Sequence, residues 1–277
     1  MIPGVDVSAF QGPPADWRTV AGSIDWAGVK MTELSPGGPY RNPDAAVDWA
    51  ALKALGKGRL AYLFGHPGMS ISATVDLFLS ELDACGLEDG DAAALDLEVT
   101  NGLSAAAVAS WASDVLALLE RNLGRVPVLY TFLSFAGAGN CAGLGAYPLW
   151  IADPSSPRGH PRVPAPWKTW TLHQYAISGS IDRDVASYAD LAAMRKALGK
   201  QVPVAKVADY TANGKESLAA IAKDHGVGAA HILRLTALRD GKFAAGLAAY
   251  VNGVFSGTIP SSSSLEKGIV LRVPVKP

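Results

Sequence analysis

The chain has 277 residues, of which 49 % are hydrophobic and 18 % charged, and its formal net charge is −1. This composition supports a substantial core rather than a disordered chain, and without a basic excess nucleic acid is not an expected partner. Cys85 and Cys141 are too few for a disulfide framework, and no apolar run approaches the ~20 residues that a membrane span needs.

Gly4-Val5-Asp6-Val7-Ser8 reads as a short strand with Asp6 on the face opposite its valines. Gln11-Gly12-Pro13-Pro14 is a turn, and Asp16 is placed to cap a short helix through Val20. Trp26 to Met31 is a second strand with Lys30 near its end, followed by a loop over Ser35 to Pro39. Pro43 to Leu55 reads as a helix capped by Asn42, with Val47, Ala51, Leu52 and Leu55 at helical spacing. Arg59 to Gly65, carrying Tyr62, is the third strand. Ser72 then caps a helix bearing Val75, Leu79 and Leu82, which Gly86 stops.

Ala92 to Val99 alternates as a strand does, so Asp96 and Glu98 share one face and Leu95, Leu97 and Val99 the other. A helix from Ser104 to Gly124 follows. Val126 to Phe132 with Tyr130, Leu149 to Ala152 with Trp150, Thr169 to Tyr175 with Gln174, and Ser180 to Asp182 complete the strands. About eight strands alternating with helices over roughly 190 residues predict an α/β fold. Its expected form is a (β/α) barrel with some late helices missing. Functional residues of such barrels lie at the C-terminal ends of strands, where Asp6, Lys30, Tyr62, Asp96, Glu98, Tyr130, Trp150, Gln174 and Asp182 all fall.

Two unpaired carboxylates are costly to bury, so the Asp96–Glu98 face must meet water, a cation or a substrate. Glycosidic cleavage needs two carboxyl groups of different pKa, one to protonate the leaving oxygen and one to stay charged. Asp-x-Glu alone is a short pattern, equally compatible with a solvated strand edge.

Seven blocks in order resemble glycoside hydrolase family 25, the Chalaropsis-type lysozymes, over about residues 1–195. They are Gly4-Val5-Asp6-Val7-Ser8 with Gln11-Gly12; Ile24-Asp25-Trp26 with Lys30-Met31-Thr32-Glu33; Tyr62-Leu63-Phe64; Leu95-Asp96-Leu97-Glu98; Leu129-Tyr130-Thr131; Leu149-Trp150-Ile151-Ala152 followed by Gln174-Tyr175; and Ile181-Asp182-Arg183-Asp184. The sequence departs from the family at Leu34, usually Gly, and at His173, usually Trp. The resemblance implies hydrolysis of the β-1,4 bond between N-acetylmuramic acid and N-acetylglucosamine in bacterial peptidoglycan, with retention. It implies Glu98 as general acid, Asp96 as stabiliser of the transition state, and Asp6 and Asp182 as an acidic floor that keeps Glu98 protonated. Lys30, Tyr62, Tyr130, Trp150, Gln174 and Tyr175 are the expected substrate contacts. No metal or cofactor is expected, since His66, His160 and His173 lack metal-ligand spacing. Asp184 reads as a solvated or capping residue.

Beyond residue 198, a linker over 199–205 leads to residues 206–277, which resemble a LysM module of βααβ order. Its parts are an entry strand at Tyr210-Thr211, helices at 216–226 and 229–235, and a closing strand within 265–274, with an insertion at about 238–264. The module's family binds N-acetylglucosamine-containing chains, and tethering raises local substrate concentration; a plain structural unit is the other reading. Met1 to Val7 lacks a signal peptide's basic and long apolar parts. Synthesis in a cytoplasm and release to the cell wall as a phage endolysin is therefore expected. Two further readings stay open: a wall-binding protein without activity, and a chitinase-like glucosaminidase in which Asp91 supplies part of an Asp-x-x-Asp-x-Asp-x-Glu pattern whose second Asp is Ala94 here.

Overall fold

Strand β1 (Ile2–Val7) pairs in parallel with β2 (Trp26–Ser35), and β2 with β4 (Gly58–Phe64). The parallel series continues through β5 (Ala92–Asp96), β6 (Val128–Phe132), β7 (Leu149–Ala152) and β8 (Leu172–Ser178). β9 (Ile181–Ala186) runs antiparallel to both β8 and β1 and so closes the ring. The result is an eight-stranded barrel, with β3 (Gly38–Arg41) as a hairpin on the outer part of β2. This computed structural model describes residues 1–9, 16–178, 181–199, 207–225, 232, 236 and 263–274. The chain forms two compact units, Met1–Val202 and Pro203–Pro277.

Helices α1 (Trp17–Val20), α2 (Ala45–Ala54), α3 (Ile71–Cys85) and α4 (Ala105–Leu123) fill the early connections. Only the three-residue α5 (Leu133–Phe135) and a turn at Ala136–Asn140 separate β6 from β7, and β8 and β9 are joined directly as a hairpin. The expected loss of late helices therefore holds, while the last strand is antiparallel rather than parallel. A connection as short as that between Ser178 and Ile181 cannot carry a parallel crossover.

Alternation sorts the strands into two faces. Val5, Val7, Leu95 and Leu97 point outward and are buried. Inside, Ile2, Leu60, Ala92, Val128, Leu172 and Ala186 cluster with Met194 and Leu198 of α6 (Leu191–Leu198), which plugs the end where the parallel strands begin. The middle of the barrel is filled by two tryptophans. Trp26 and Trp150 meet edge-on at 6.0 Å. A Cβ on Gly4 would lie 2.2 Å from the Trp26 ring, and one on Gly28 2.9 Å from Trp150, so these glycines make the space.

Several local expectations are corrected. The segment read as a loop over Ser35 to Pro39 is the β2–β3 hairpin, with Leu34 paired to Pro39. Helix α2 buries Ala45, Asp48, Trp49 and Leu52, while Val47 and Leu55 are exposed. Trp49 is the largest apolar group on the helix, and its face wins because Trp17 Nε1 donates to Asp48 across 2.8 Å and satisfies that buried carboxylate. Ser70, not Ser72, caps α3 by accepting from Ala73 N. Ser104 caps α4 as expected, and Gly86 and Gly124 end α3 and α4 in the left-handed conformation.

In the second unit, β10 (Val207–Thr211) and β11 (Val270–Pro274) are antiparallel. Helix α7 (Leu218–Asp224) buries Leu218, Ile221 and Ala222 against Leu265, Leu271, Val273 and Ile232. Most of the expected second helix and of the insertion lies outside the described residues.

Candidate active site

The parallel strands end at a pocket of about 380 Å³. Four of its lining groups are acids: Asp6 from β1, Asp96 from β5, Glu98 just beyond it, and Asp182 from β9. Strand pairing accounts for their convergence. Asp6 stands directly opposite Asp182 in the β1–β9 ladder, and Asp96 pairs with Phe64 and Tyr130 on either side.

Strand β5 stops at Asp96 rather than at Val99. Leu97 N still donates to Tyr130 O at 3.0 Å, so the chain stays beside β6 for one more residue and releases Glu98 at the pocket's rim. The carboxyl groups of Asp96 and Glu98 are hydrogen-bonded to each other. Burial raises the pKa of both, and the charge of Glu98 raises Asp96 further, so the pair keeps a proton. Two effects pull Glu98 down: the hydrogen bond from Asp96 and the positive charge of Lys30. Asp96 is buried, whereas Glu98 is half-buried. The deeper Asp96 thus holds the shared proton more firmly. The expected cause of a protonated Glu98, the acids Asp6 and Asp182, is secondary here: burial is the largest influence, and the charge of Asp182 adds to it.

Asp6 belongs to a second network. Tyr130 Oη donates to Gln174 Oε1 at 2.9 Å, and Gln174 Nε2 donates to Asp6 Oδ2 at 2.7 Å. Burial, followed by the negative charge of Asp182, pushes the Asp6 carboxyl up to about 7, against the lowering effect of hydrogen bonds from Gln174 and Asp184.

Lys30 lies on the pocket wall because of a bulge. The β2–β4 register slips between Lys30 and Thr32, which puts Lys30 and Glu33 on one side. Their ion pair measures 2.7 Å, and His66 Nε2 sits 2.7 Å from the other Glu33 oxygen. The ammonium rests over Phe64, 4.8 Å from its centroid.

The expected aromatic contacts divide. Trp150 is 2 % exposed and packs edge-on against Tyr130 at 4.9 Å and Tyr62 at 6.0 Å. It forms the pocket floor rather than an open stacking platform. Tyr62 and Tyr130 line the same floor. Tyr175 does not line the pocket. It is the extra residue of a second bulge, between Gln174 and Ala176, and meets His173 edge-on and lies beneath Arg158. That bulge instead brings Ile177, 63 % exposed, opposite Asp182 at the rim.

Other expectations are also revised. Asp184 is not solvated: it is fully buried and accepts from Trp150 Nε1 at 2.8 Å. Asp91 precedes β5, at the opposite end from Asp96, and is held by Arg59 through bonds of 2.9 and 2.6 Å. It therefore takes no part in the pocket. His173 is buried with Nδ1 accepting from Gly159 N and Nε2 against Asp153 O, which fixes the loop after β7. Sequence reasoning missed Ser8, Phe64 and Ile177 in the lining. Phe64 was legible as the i+2 neighbour of Tyr62; Ile177 was not, because its face depends on the bulge. Among the described residues, no group of three or more His, Cys, Asp or Glu side chains is arranged to hold a metal ion.

A proton shared by two carboxyls of unequal depth, beside further acids, can protonate a leaving oxygen and stabilise positive charge at the carbon left behind.

Comparison with known proteins points to a glycoside hydrolase. The model of the family "Glycosyl hydrolases family 25" matches residues 5–184. The chain is 30 % identical over 188 residues to the uncharacterized protein YegX of Escherichia coli strain K12, a match spanning 65 % of each protein. It is 28 % identical over 202 residues to Lysozyme M1 of Streptomyces globisporus, covering 66 % of this chain and 67 % of that one. The bacterial lysozyme of Streptomyces coelicolor superposes with a TM-score of 0.61 at 27 % identity, over 72 % of this chain and 97 % of that structure.

Proposed function

Because this chain belongs to glycosyl hydrolases family 25, we propose that it hydrolyses the β-1,4 bond between N-acetylmuramic acid and N-acetylglucosamine in bacterial peptidoglycan. The observation that carries the reading is the hydrogen-bonded Asp96–Glu98 pair at the mouth of an open pocket, facing Asp6 and Asp182. The names of two relatives, both lysozymes, support the substrate.

Glu98 is the more accessible member of the pair, so it is the one to protonate the glycosidic oxygen. Asp96 receives the N–H of the sugar's N-acetyl group. That new donor stabilises its charge and shifts the shared proton to Glu98. As the C1–O bond breaks, the proton of Glu98 goes to the leaving oxygen and the acetyl oxygen bonds to C1. Water, deprotonated by the Glu98 carboxylate, then opens this ring from the other face, and the configuration is retained. Asp6 and Asp182 stabilise the positive charge at C1. Lys30 keeps the Asp96–Glu98 pair from holding two protons.

We also propose that the second unit is a LysM-like wall-binding module. The antiparallel β10–β11 pair flanking α7 supports that reading. Full-length Glu98→Gln protein should then sediment with insoluble peptidoglycan better than the same variant cut to residues 1–202; equal sedimentation would make the unit structural.

The hydrolase reading is tested by turbidity of a bacterial wall suspension. Wild type should clear it, and Glu98→Gln should clear it ~10²–10⁴-fold more slowly while still binding. Equal rates would remove Glu98 from the role of acid and would favour a wall-binding protein if neither cleared.

A further inference from the structure

Asp184 is buried more deeply than any residue of the pocket, and the mechanism above does not use it. It lies on β9, facing into the barrel, with Gly4 of β1 on one side and Gln174 of β8 on the other in the strand register. It is 0 % exposed. Oδ1 accepts from Trp150 Nε1 at 2.8 Å. Among the described residues, no N–H or hydroxyl donor reaches Oδ2. The groups facing it are Asp6 from β1, Trp150 from β7, Gln174 from β8 and Asp182 from β9, with the phenols of Tyr62 and Tyr130 nearby.

Two adjacent buried carboxyls cannot both be charged without a cation between them. One of the Asp6–Asp184 pair must keep a proton. Asp6 faces the pocket and already accepts from Gln174, so its charge is supported. Asp184 has no opening to water and carries the oxygen that lacks a donor. A proton on Asp184 resolves both problems: it removes one of the two charges and lets Asp184 be the donor in its side-chain hydrogen bond with Asp6.

We propose that Asp184 is a permanently neutral carboxylic acid that donates a hydrogen bond to Asp6 and thereby positions Asp6 and favours its charged form. Burial, and then the charge and hydrogen bond of Asp6, raise Asp184 well above the carboxylate range, in the same sense. A neutral carboxylic acid kept as a hydrogen-bond donor inside an active site is a known physical solution. Asp184 is on this reading a positioning residue: it touches Asp6 and not the substrate. Its effect on turnover rests on the hydrolase reading; its protonation does not.

The test separates the two. In protein labelled with ¹³C at the aspartate carboxyls, the Asp184 signal, assigned by its loss in Asp184→Asn, should stay at the protonated position from about pH 5 to about pH 9. A titration step in that range overturns the proposal whether or not the protein cleaves peptidoglycan. Asp184→Asn keeps a donor for Asp6 and an acceptor for Trp150. Its kcat should lie within about threefold of wild type, with an unchanged pH profile. Asp184→Ala removes the donor, raises the pKa of Asp6, and should move the acid limb of kcat upward while cutting kcat more than about tenfold. If Asp184→Asn instead shifts the acid limb downward, Asp184 is charged in the native enzyme and the proposal is wrong. Should the alanine variant fail to fold, the asparagine profile and the carboxyl signal decide alone.

Discussion

Gln174 Nε2 donates to Asp6 Oδ2 across 2.7 Å, joining two residues 168 positions apart in the chain. The contact exists because β9 inserts between β8 and β1 and turns the inward faces of all three strands to one wall. Gln174 is oriented in turn by Tyr130, so the charge of Asp6 depends on side chains from three strands.

Removing that donor should show in the pH profile. A hydrogen bond to a carboxylate stabilises its charged form, so its loss raises the pKa. In Gln174→Ala the Asp6 carboxyl should lie above its wild-type position of about 7. The acid limb of kcat should move to higher pH, and activity near neutrality should fall about tenfold. The readout is kcat against pH on solubilised glycan strands; an unmoved limb would show that Asp6 need not be charged.

Asp6 also links stability to pH. Its native pKa of about 7 lies above the ordinary 3.8, so between those values the folded protein holds a proton that the unfolded chain has released. The contribution of this group to stability therefore falls as pH rises from about 4 to about 7, and the loss is complete above that window. Asp6→Asn carries no such charge. Its unfolding free energy should match wild type near pH 4 and exceed it by an amount on the order of a few kcal/mol above pH 7, with activity reduced. Denaturant melts across pH check this. A variant less stable than wild type at every pH would contradict it.

Lys30 acts on the other acid pair. Its positive charge lowers both Asp96 and Glu98, which burial raises. Lys30→Met should let the pair keep its proton to higher pH, moving the basic limb of kcat up by about one pH unit. The ion pair with Glu33 is partly solvated, so global stability should change by less than about 1 kcal/mol. A basic limb that stays in place would remove Lys30 from the electrostatics of the site.

The sequence made the barrel and its four pocket acids legible because period-two alternation and strand-end position are local signals. The antiparallel β9 has a local cause that the alternating pattern hid: the short span between β8 and β9 excludes a parallel crossover. Two things were not local. The faces of Tyr175 and Ile177 are set by a bulge, where one extra residue reverses the alternation. The burial of Asp184 follows from Trp150 crossing the barrel to meet it, a contact across 34 positions that no spacing rule contains. In α2, periodicity alone favoured Val47 and Leu55, whereas the volume of Trp49 and the Trp17–Asp48 bond decided the buried face.

Cleavage of the muramic acid glycosidic bond is read at the new reducing ends. Purified peptidoglycan is digested with the protein, reduced with borohydride and hydrolysed to its sugars. Muramitol appearing in step with digestion, and absent with Glu98→Gln, is the expected result. Glucosaminitol in its place would mean a glucosaminidase, and no reduced sugar above the undigested control would mean that this pocket does not cleave glycan.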